Sequence, residues 1–483
     1  MPDSLIREPE SDFVCDCEEW MRSACAAESF YKEHEGKRYC VLHFPGREKS
    51  ADFGKALMVK LDRQDYDLRG VWFPEEPPFP KFEFSADADF RGAIFTTNAN
   101  FVAANFKAKA DFFRAVFLAE ASFANAVFTS PIDFYDATFS SEADFRAVNF
   151  RSTAEFRQAT FRGGALFRYA NFNDLANFRS ASFGGPADFL TVVFKGHLNM
   201  TSATFNGEAN LQRATFNAGA DFSAASFKAE ANFREATFKD YVTFAGDESV
   251  PGNGWSLYLQ FAKIENPDRV SFHTLTLHPH WFINVDARRF DFINIQWENY
   301  GEAKLELELL KQKGISSPHR LLVIACRKLA ANAEENDRFR SASQFRRMAM
   351  DAERLENWRG FDFRKLNWWY WLASGYGERI TRAALVLLGI WIVAGLLYTR
   401  VGFARWEPRL ASEADAVLAQ KDEVGAPLKF IRALTYSAGV MTLQKPEPKP
   451  ATTAAQTVVL LETILGPVQG ALLALAIRRK FMR

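Results

Sequence analysis

Phenylalanine recurs in this chain with a fixed period, and that period limits what the chain can fold into. From Phe90 to Phe244 the spacing alternates between five and six residues, which gives an unbroken repeat of 11 residues. Phenylalanine fills 27 of the 29 positions, and Met200 and Leu211 fill the other two. Alanine stands two residues before 24 of the 29 positions. The pattern predicts that both residue types point inward at every step of a repeating fold.

An 11-residue period is compatible with two kinds of fold, a right-handed coiled coil of hendecads and a solenoid of short strands. Residues five apart on an α-helix differ by about 140° in direction, so the phenylalanines would not form one narrow seam. The stretch is also rich in Thr, Asn, Asp, Ser and Gly, which are weak helix formers. The pattern therefore favours a solenoid, with strands about 4.8 Å apart.

Short motifs in this stretch resemble the pentapeptide-repeat family, whose consensus is A(D/N)LXX or A(D/N)FXX. The motifs that carry the resemblance are Ala88-Asp89-Phe90, Ala99-Asn100-Phe101, Ala143-Asp144-Phe145, Ala187-Asp188-Phe189 and Ala231-Asn232-Phe233. The resemblance implies a right-handed quadrilateral β-helix. A sixth residue at every second face departs from the family, so one turn of four faces takes two copies of the repeat. Residues 90–244 are then predicted to form about seven turns over about 34 Å.

The charge of the rod limits its function. Some proteins of this family imitate DNA, which requires a dense negative surface. Residues 85–245 carry 16 acidic and 15 basic side chains, and the whole chain carries 59 of each. Nucleic-acid binding and DNA mimicry are therefore not expected. We find no nucleophile–base arrangement and no phosphate loop, so we do not expect an enzyme. The rod is interpreted as a scaffold or docking surface for an unknown cytoplasmic protein or ligand.

Four of the five cysteines cluster near the start of the chain, between Cys15 and Cys40. The amino-terminal residues contain no apolar run of signal-peptide type, so we expect them in the cytoplasm, where structural disulfides are rare. Structural zinc takes four thiolate or imidazole ligands, and this cluster offers five candidates. We predict one structural zinc, with one candidate spare; ordinary buried cysteines beside a surface histidine are the alternative. The candidates are Cys15, Cys17, Cys25, Cys40 and His43.

The rest of the chain is predicted to form further modules. Residues 302–313, 319–335 and 339–358 have helical spacing, and either a lipid-binding basic face or a solvated hairpin would explain their charges. Cys326 is interpreted as core packing.

The predicted domains are a zinc module (1–50), a cap (51–83), the β-helix (84–245), degenerate rungs that form a second cap (246–300), a helical joint (301–360) and a two-span membrane domain (361–483).

Two segments have the composition of membrane spans. Residues 383–399 carry no charge, and residues 451–477 carry one, Glu462. Tryptophan and tyrosine precede the first segment, as is common at membrane interfaces. Basic residues flank the entrance of the first segment and the exit of the second. We therefore expect a multi-pass protein of the inner (plasma) membrane, with both termini in the cytoplasm and the 400–450 loop outside.

Residues 427–443, between the spans, form a short amphipathic helix candidate. With both spans they resemble the pore module of prokaryotic two-span cation channels of the potassium-channel type. Residues 374–383 resemble the entrance to the first span in pentapeptide-repeat proteins that carry this module, and residues 461–483 resemble the second span. The segment EGKRYCVLHFPGREK likewise resembles the amino-terminal segments of such membrane-bound proteins. The resemblance implies a homo-oligomer, with four copies lining one pore. The matching pore-helix residues are Ala433-Leu434, Tyr436-Ser437 and Thr442.

The filter segment departs from that family. Potassium channels carry T-x-G-Y-G or T-x-G-F-G, whose carbonyls replace ion hydration. The aligned residues are Thr442-Leu443-Gln444-Lys445-Pro446-Glu447, and neither glycine is present. We therefore expect either a weakly selective cation channel gated by its cytoplasmic part or a non-conducting membrane-anchored scaffold. The filter candidates are Ser437, Thr442, Leu443, Gln444 and Lys445, and the gating candidates are Glu462, Gly466 and Pro467. The alternatives are that Glu462 packs behind the short helix and hydrogen-bonds its end, and that Gly466-Pro467 serves packing only.

Overall fold

The computed structural model describes residues 13–246, 255–298, 302–356, 366–377, 379–401, 403–404, 424–425 and 428–481. Most of the loop predicted between the two spans lies outside these residues. The chain divides into two compact units, Met1–Ala352 and Glu353–Arg483. Each unit is described by itself.

The first unit is built around a solenoid with four parallel sheets. The first face contains Trp72–Phe73, Ile94–Phe95, Val116–Phe117, Thr138–Phe139, Thr160–Phe161, Ser182–Phe183, Thr204–Phe205 and Ser226–Phe227. The second contains Glu83–Phe84, Asn105–Phe106, Val127–Phe128, Asn149–Phe150, Asn171–Phe172, Val193–Phe194, Thr215–Phe216, Thr237–Phe238 and Lys263–Ile264.

The other two faces consist of strands that begin mostly with the repeat alanine. One contains Ala99–Asn100, Ala121–Ser122, Ala143–Asp144, Ala165–Leu166, Ala187–Asp188, Ala209–Asn210, Glu230–Asn232 and Ser256–Tyr258. The other contains Ala88–Asp89, Ala110–Asp111, Ile132–Asp133, Ala154–Glu155, Ala176–Asn177, Leu198–Asn199, Ala220–Ser223, Val242–Ala245, Val270–His273 and Asp291–Ile293.

Within the repeat, each strand pairs with the strand two copies of the repeat further along the chain, as the phenylalanine spacing predicts. Val116 pairs with Thr138, and the Phe117 ring stacks on that of Phe139 with the ring centres 4.7 Å apart. All 27 repeat phenylalanines are buried, together with Met200 and Leu211. Each buried phenylalanine contributes roughly 1.5–3 kcal/mol, so these side chains form the core of the solenoid.

One corner in two contains a left-handed residue, which recurs once in each copy of the repeat. Within the phenylalanine repeat Gly92 is the first (φ +64°), and non-glycine residues such as Ala103 (φ +56°) and Arg114 (φ +54°) follow. The amide of each left-handed residue donates to the next turn, as in the 2.8 Å bond from Gly92 to the Phe113 carbonyl. Repeat Asp and Asn side chains accept from the amide two residues later, as Asp111 does from Phe113 at 3.1 Å. The (D/N) position therefore stabilises the corner.

The sheets extend beyond the phenylalanine register at both ends, and the longest has ten strands. At the front, helix α1 (Ser50–Asp62) precedes the first strands of the solenoid. At the back, residues 256–293 add further strands, beside the pair Thr276–Leu277 and Gln296–Trp297. Helices α2 (Ala303–Gln312), α3 (Pro318–Glu335) and α4 (Phe339–Glu356) follow. The Asn332 side chain on α3 donates to the Phe290 carbonyl at 2.7 Å. Helix α3 therefore satisfies a backbone carbonyl at the open end of the solenoid.

The second unit contains helices α5 (Leu366–Ser374), α6 (Ile380–Tyr398), α7 (Phe430–Met441) and α8 (Thr453–Phe481). A short antiparallel pair, Phe403–Ala404 and Val424–Gly425, lies between α6 and α7 in sequence. Helices α6 and α8 are long and apolar enough to cross a membrane.

Candidate functional site

The predicted zinc ligands come from three local elements at the amino end of the first unit. Cys15 and Cys17 precede a 3-10 helix, Glu19–Cys25, which ends on the third cysteine. The hairpin strands Phe30–His34 and Lys37–Cys40 are joined through the left-handed residues Glu35 and Gly36. The hairpin ends on Cys40, and His43 follows in the next turn.

These elements bring the five side chains together. The ligand atoms of Cys15, Cys17, Cys25 and His43 all lie within 4.8 Å of one another. The Cys40 sulfur lies 3.2 Å from His43 Nδ1, and the Cys15 sulfur lies 3.8 Å from the same nitrogen. Cys15, Cys25, Cys40 and His43 are buried, and Cys17 is half-buried.

The histidine is oriented for metal binding. His43 Nε2 lies 2.8 Å from the carbonyl oxygen of Arg69, and because a carbonyl can only accept, Nε2 carries the proton. In the neutral ring Nδ1 then carries the lone pair, and it faces the Cys15 and Cys40 sulfurs. Zinc bonds of about 2.3 Å to sulfur and 2.0–2.1 Å to nitrogen place such atoms about 3.6 Å apart at the tetrahedral angle. The two sulfur–nitrogen distances lie on either side of that value, so the donor set fits zinc.

The thiols influence one another's ionisation. Hydrogen bonds from Cys17, Cys25 and Cys40 lower the pKa of Cys15, so this sulfur ionises first. The hydrogen bond between Cys17 and Cys15 raises the pKa of Cys17 to about 11. The hydrogen bond between Cys40 and Cys15 likewise raises the pKa of Cys40 to about 12. Metal binding at this cluster would therefore release protons from the thiols.

Lys49 places a buried amine beside the cluster. Its Nζ donates to the Leu42 carbonyl at 2.7 Å, and burial lowers the pKa of this amine to about 7. The Cys40 and Cys15 sulfurs oppose that shift. The cluster and this amine are therefore electrostatically linked.

Two sets of four ligands are compatible with the distances. The mutually close set contains Cys17, whereas Cys40 lies near His43 and its amide donates to the Cys15 sulfur at 3.5 Å. Cys15, Cys25 and His43 are common to both sets. A variant at one of these three residues therefore tests the site whichever fourth ligand is used.

In the second unit, α7 packs against both apolar helices, α6 and α8. Glu462, on α8, is only 3% exposed. Tyr398 on α6 donates its hydroxyl to Glu462 at 2.5 Å, and Ser437 on α7 donates to the other carboxylate oxygen. Trp391 Nε1 donates to the Leu434 carbonyl at 2.9 Å. One carboxylate therefore connects all three helices.

Four of the five predicted filter residues, Thr442 to Lys445, follow α7 in a compact turn, whereas Ser437 is buried within α7 and bonds to Glu462. All four residues from Thr442 to Lys445 are exposed. Leu443 is left-handed (φ +61°), and the Gln444 amide donates to the Gly439 carbonyl at 2.9 Å. The Thr442 hydroxyl donates back to the Ala438 carbonyl at 2.9 Å. The turn thus caps α7 instead of continuing as an extended strand.

Gly466 and Pro467 lie where α8 passes the end of α7. A Cβ atom at Gly466 would lie 3.0–3.1 Å from three atoms of Met441, so glycine permits this close approach. Pro467 lies inside α8, which continues unbroken from Thr453 to Phe481. A cavity of about 510 Å³ borders this point and is lined mainly by apolar side chains of α6, α7 and α8.

Sequence reasoning missed two polar contacts in this unit. Tyr398 is 64 positions from Glu462, so no local pattern links them. Gln469, one heptad after Glu462, donates to the carbonyls of Ala373 and Ala383 at 2.8 Å each. The heptad spacing of the two polar residues on an otherwise apolar helix was the available signal.

The comparison with known proteins identifies the solenoid. Residues 123–171, 156–204 and 201–246 match the family described as pentapeptide repeats (9 copies). No curated protein and no solved structure matches the chain significantly. The match spans about a quarter of the chain and confirms the repeat prediction for this segment. The chain therefore contains a pentapeptide-repeat domain.

Proposed function

We propose that the chain is one subunit of a membrane assembly in which α6, α7 and α8 of several copies surround a shared path for ions. The observation that carries the proposal is α7. Its 12 residues span about 18 Å, which is short of the roughly 30 Å of a bilayer core. It lies between two helices that are long enough, and the buried Glu462 holds it there through Ser437.

The exposed surfaces of α6 and α8 support an assembly in lipid. In each helix, 17% of the most apolar window is buried within the chain. Leu385 on α6 is 66% exposed, and Leu460 on α8 is 62% exposed. Lipid tails or other copies of the chain would cover such side chains. The turn at 442–445 would then line the path with side chains, which implies weak selectivity between cations.

The charges at the helix ends support one orientation. Arg379 and Arg382 lie at the start of α6, and Arg478 and Arg479 lie at the end of α8. Basic residues favour the cytoplasmic side. The pentapeptide-repeat domain would then lie on the cytoplasmic side of the inner membrane. Its surface would there be available to an unidentified protein or ligand.

A non-conducting anchored scaffold is the second candidate, and the turn after α7 favours it. Its left-handed Leu443 and the bond from Gln444 to Gly439 hold residues 442–444 against the helix end. A Cβ atom at Gly439 would lie 3.2 Å from Pro446, which therefore packs there too. A row of backbone carbonyls cannot line a path in this conformation.

Cross-linking distinguishes the two candidates. We expect Leu443→Cys, at a position 62% exposed, to form disulfide-linked pairs of chains in oxidised membranes, because the turns meet around a shared axis. Leu385→Cys, on an exposed face of α6 that lipid tails would cover in the proposed assembly, is the matched control and should remain unlinked. The readout is non-reducing electrophoresis, with the native protein as background. A Leu443→Cys chain that stays monomeric while membrane-bound would support the anchor.

We further propose that the amino-terminal cysteine cluster binds one structural zinc. The support is the convergence of four cysteine sulfurs on one oriented imidazole. Zinc would add its ligand bonds to the few buried apolar side chains of the short segment at residues 13–49, such as Leu42 and Phe44.

A further inference from the structure

A second group of ligand-type side chains lies at the far end of the solenoid. His278 and His280 flank Pro279 at the start of a 3-10 turn, Pro279–Phe282, and Glu306 lies on α2. His280 Nδ1 lies 2.7 Å from one carboxylate oxygen of Glu306, and His278 Nδ1 lies 3.2 Å from the other. One ligand atom from each residue lies within 4.8 Å of the other two.

The carboxylate is wholly enclosed. The side chain of Glu306 is 0% exposed, and that of His280 is 4% exposed. The backbone amide of His280 donates to one oxygen of this carboxylate at 2.9 Å, which fixes the orientation of the Glu306 side chain toward the two histidines.

The ring of His278 has a second carboxylate behind it. Its Nε2 lies 2.9 Å from Glu298 Oε2, on the side away from Glu306. When Nε2 carries the proton and donates it to Glu298, Nδ1 and the facing Glu306 oxygen, 3.2 Å away, both present lone pairs, and a cation between them would satisfy both. The side chain of His278 is 17% exposed, which leaves a route from solvent to the cluster.

We propose that His278, His280 and Glu306 bind a divalent transition-metal ion of the zinc class, with Glu298 orienting His278. Two ligand atoms, each 2.0–2.1 Å from a tetrahedral ion, lie about 3.4 Å apart. The separation of His278 Nδ1 and Glu306, 3.2 Å, is close to that value, whereas His280 Nδ1 and Glu306, at 2.7 Å, would move apart by about 0.7 Å when the ion binds. Imidazole and carboxylate together suit such an ion, and thiolate is absent from this donor set. A water would complete the four positions.

The position of the cluster gives the ion a structural role. His278 and His280 belong to the last turns of the solenoid, and Glu306 belongs to the first helix after it. A bound ion would fasten α2 across the end of the solenoid. The site would stand independently of the amino-terminal cluster and of any activity of α6–α8.

Cobalt titration of the purified full chain tests the proposal, because Co²⁺ reports its ligands in its absorption spectrum. We expect wild-type protein to bind one equivalent with d–d bands and no sulfur charge-transfer band, separately from any thiolate-bound equivalent. Glu306→Gln keeps the shape of the side chain but removes its charge, so this equivalent should be lost. Glu298→Gln should weaken it by about 10–100-fold.

His278→Gln provides a second variant at the rim of the cluster, should Glu306→Gln fail to fold. It should also lose the sulfur-free equivalent while the circular dichroism spectrum remains that of wild type. Two outcomes overturn the proposal. One is a wild-type chain whose bound cobalt is all thiolate-ligated or absent. The other is unchanged cobalt binding in a folded Glu306→Gln or His278→Gln chain, which would leave a hydrogen-bonded cluster only.

Discussion

Replacing Phe112 with alanine lowers the free energy of unfolding of the solenoid by about 3–5 kcal/mol, the range for a buried Phe→Ala change. Phe112 is 0% exposed, and its ring stacks on those of Phe90 and Phe134, with centres 4.6 and 4.9 Å away. The stacked rings above and below cannot move in to fill the space, because their own strands fix them. Denaturant unfolding of the full chain, followed by circular dichroism, measures the loss.

The neighbouring residue is the matched control. Phe113 falls outside the 11-residue register and is half-buried on the outer surface, where its ring lies 5.5 Å from that of Tyr135. We expect Phe113→Ala, the same chemical change, to cost less than about 1.5 kcal/mol. Equal losses for the two variants would contradict the assignment of register phenylalanines to the interior.

The second large effect is expected at the cysteine cluster. Structural zinc contributes about 10–16 kcal/mol of binding free energy in small zinc-dependent peptides. Cys25→Ala, which removes a ligand common to both candidate sets, should lower the zinc content by one equivalent per chain. Residues 13–49 should then lose protection from hydrogen exchange while the phenylalanine ladder keeps its own, since each turn contacts mainly its neighbours.

Cys326→Ala is the control for this experiment. Cys326 is also a buried cysteine, but it lies on α3, far along the chain from the cluster. The Cys326→Ala substitution should leave the zinc content unchanged. Zinc affinity should also fall as the pH is lowered, because the fourth ligand must lose a proton to bind, and its pKa is raised to about 11 if it is Cys17 and to about 12 if it is Cys40. Zinc content unchanged in Cys25→Ala would refute the site.

The solenoid could be predicted because its rule is local. Each face of the solenoid contributes one buried side chain, so a buried residue recurs every time the backbone turns a corner. The spacing of the phenylalanines therefore gives the number of residues in every face and turn. The handedness of the corners could not be read in the same way. Arg114, Tyr169 and Thr191 adopt positive φ although their side chains disfavour it. The hydrogen bonds between turns impose this conformation, and the residue types do not reveal it.

The candidate sites were predictable to different degrees for the same reason. The cysteines lie close together in sequence, so their meeting was expected. Tyr398 and Glu462, and likewise His280 and Glu306, meet through packing of separate elements. Neither pair leaves a local pattern. The ends of the solenoid were also hidden, because strands such as Trp72–Phe73 pair in the sheets without the repeat motif.

Current through a planar bilayer that contains the purified full chain tests the proposed assembly most directly. We expect a current with little discrimination between sodium and potassium, because side chains at 442–445 would line the path. Lys445→Glu should shift the reversal potential toward that of the permeant cation, since a ring of lysines repels cations. Lys449→Glu, the same charge change at another exposed lysine, should shift it less. Absence of current in all three proteins, or strong potassium selectivity in the native one, would contradict the account.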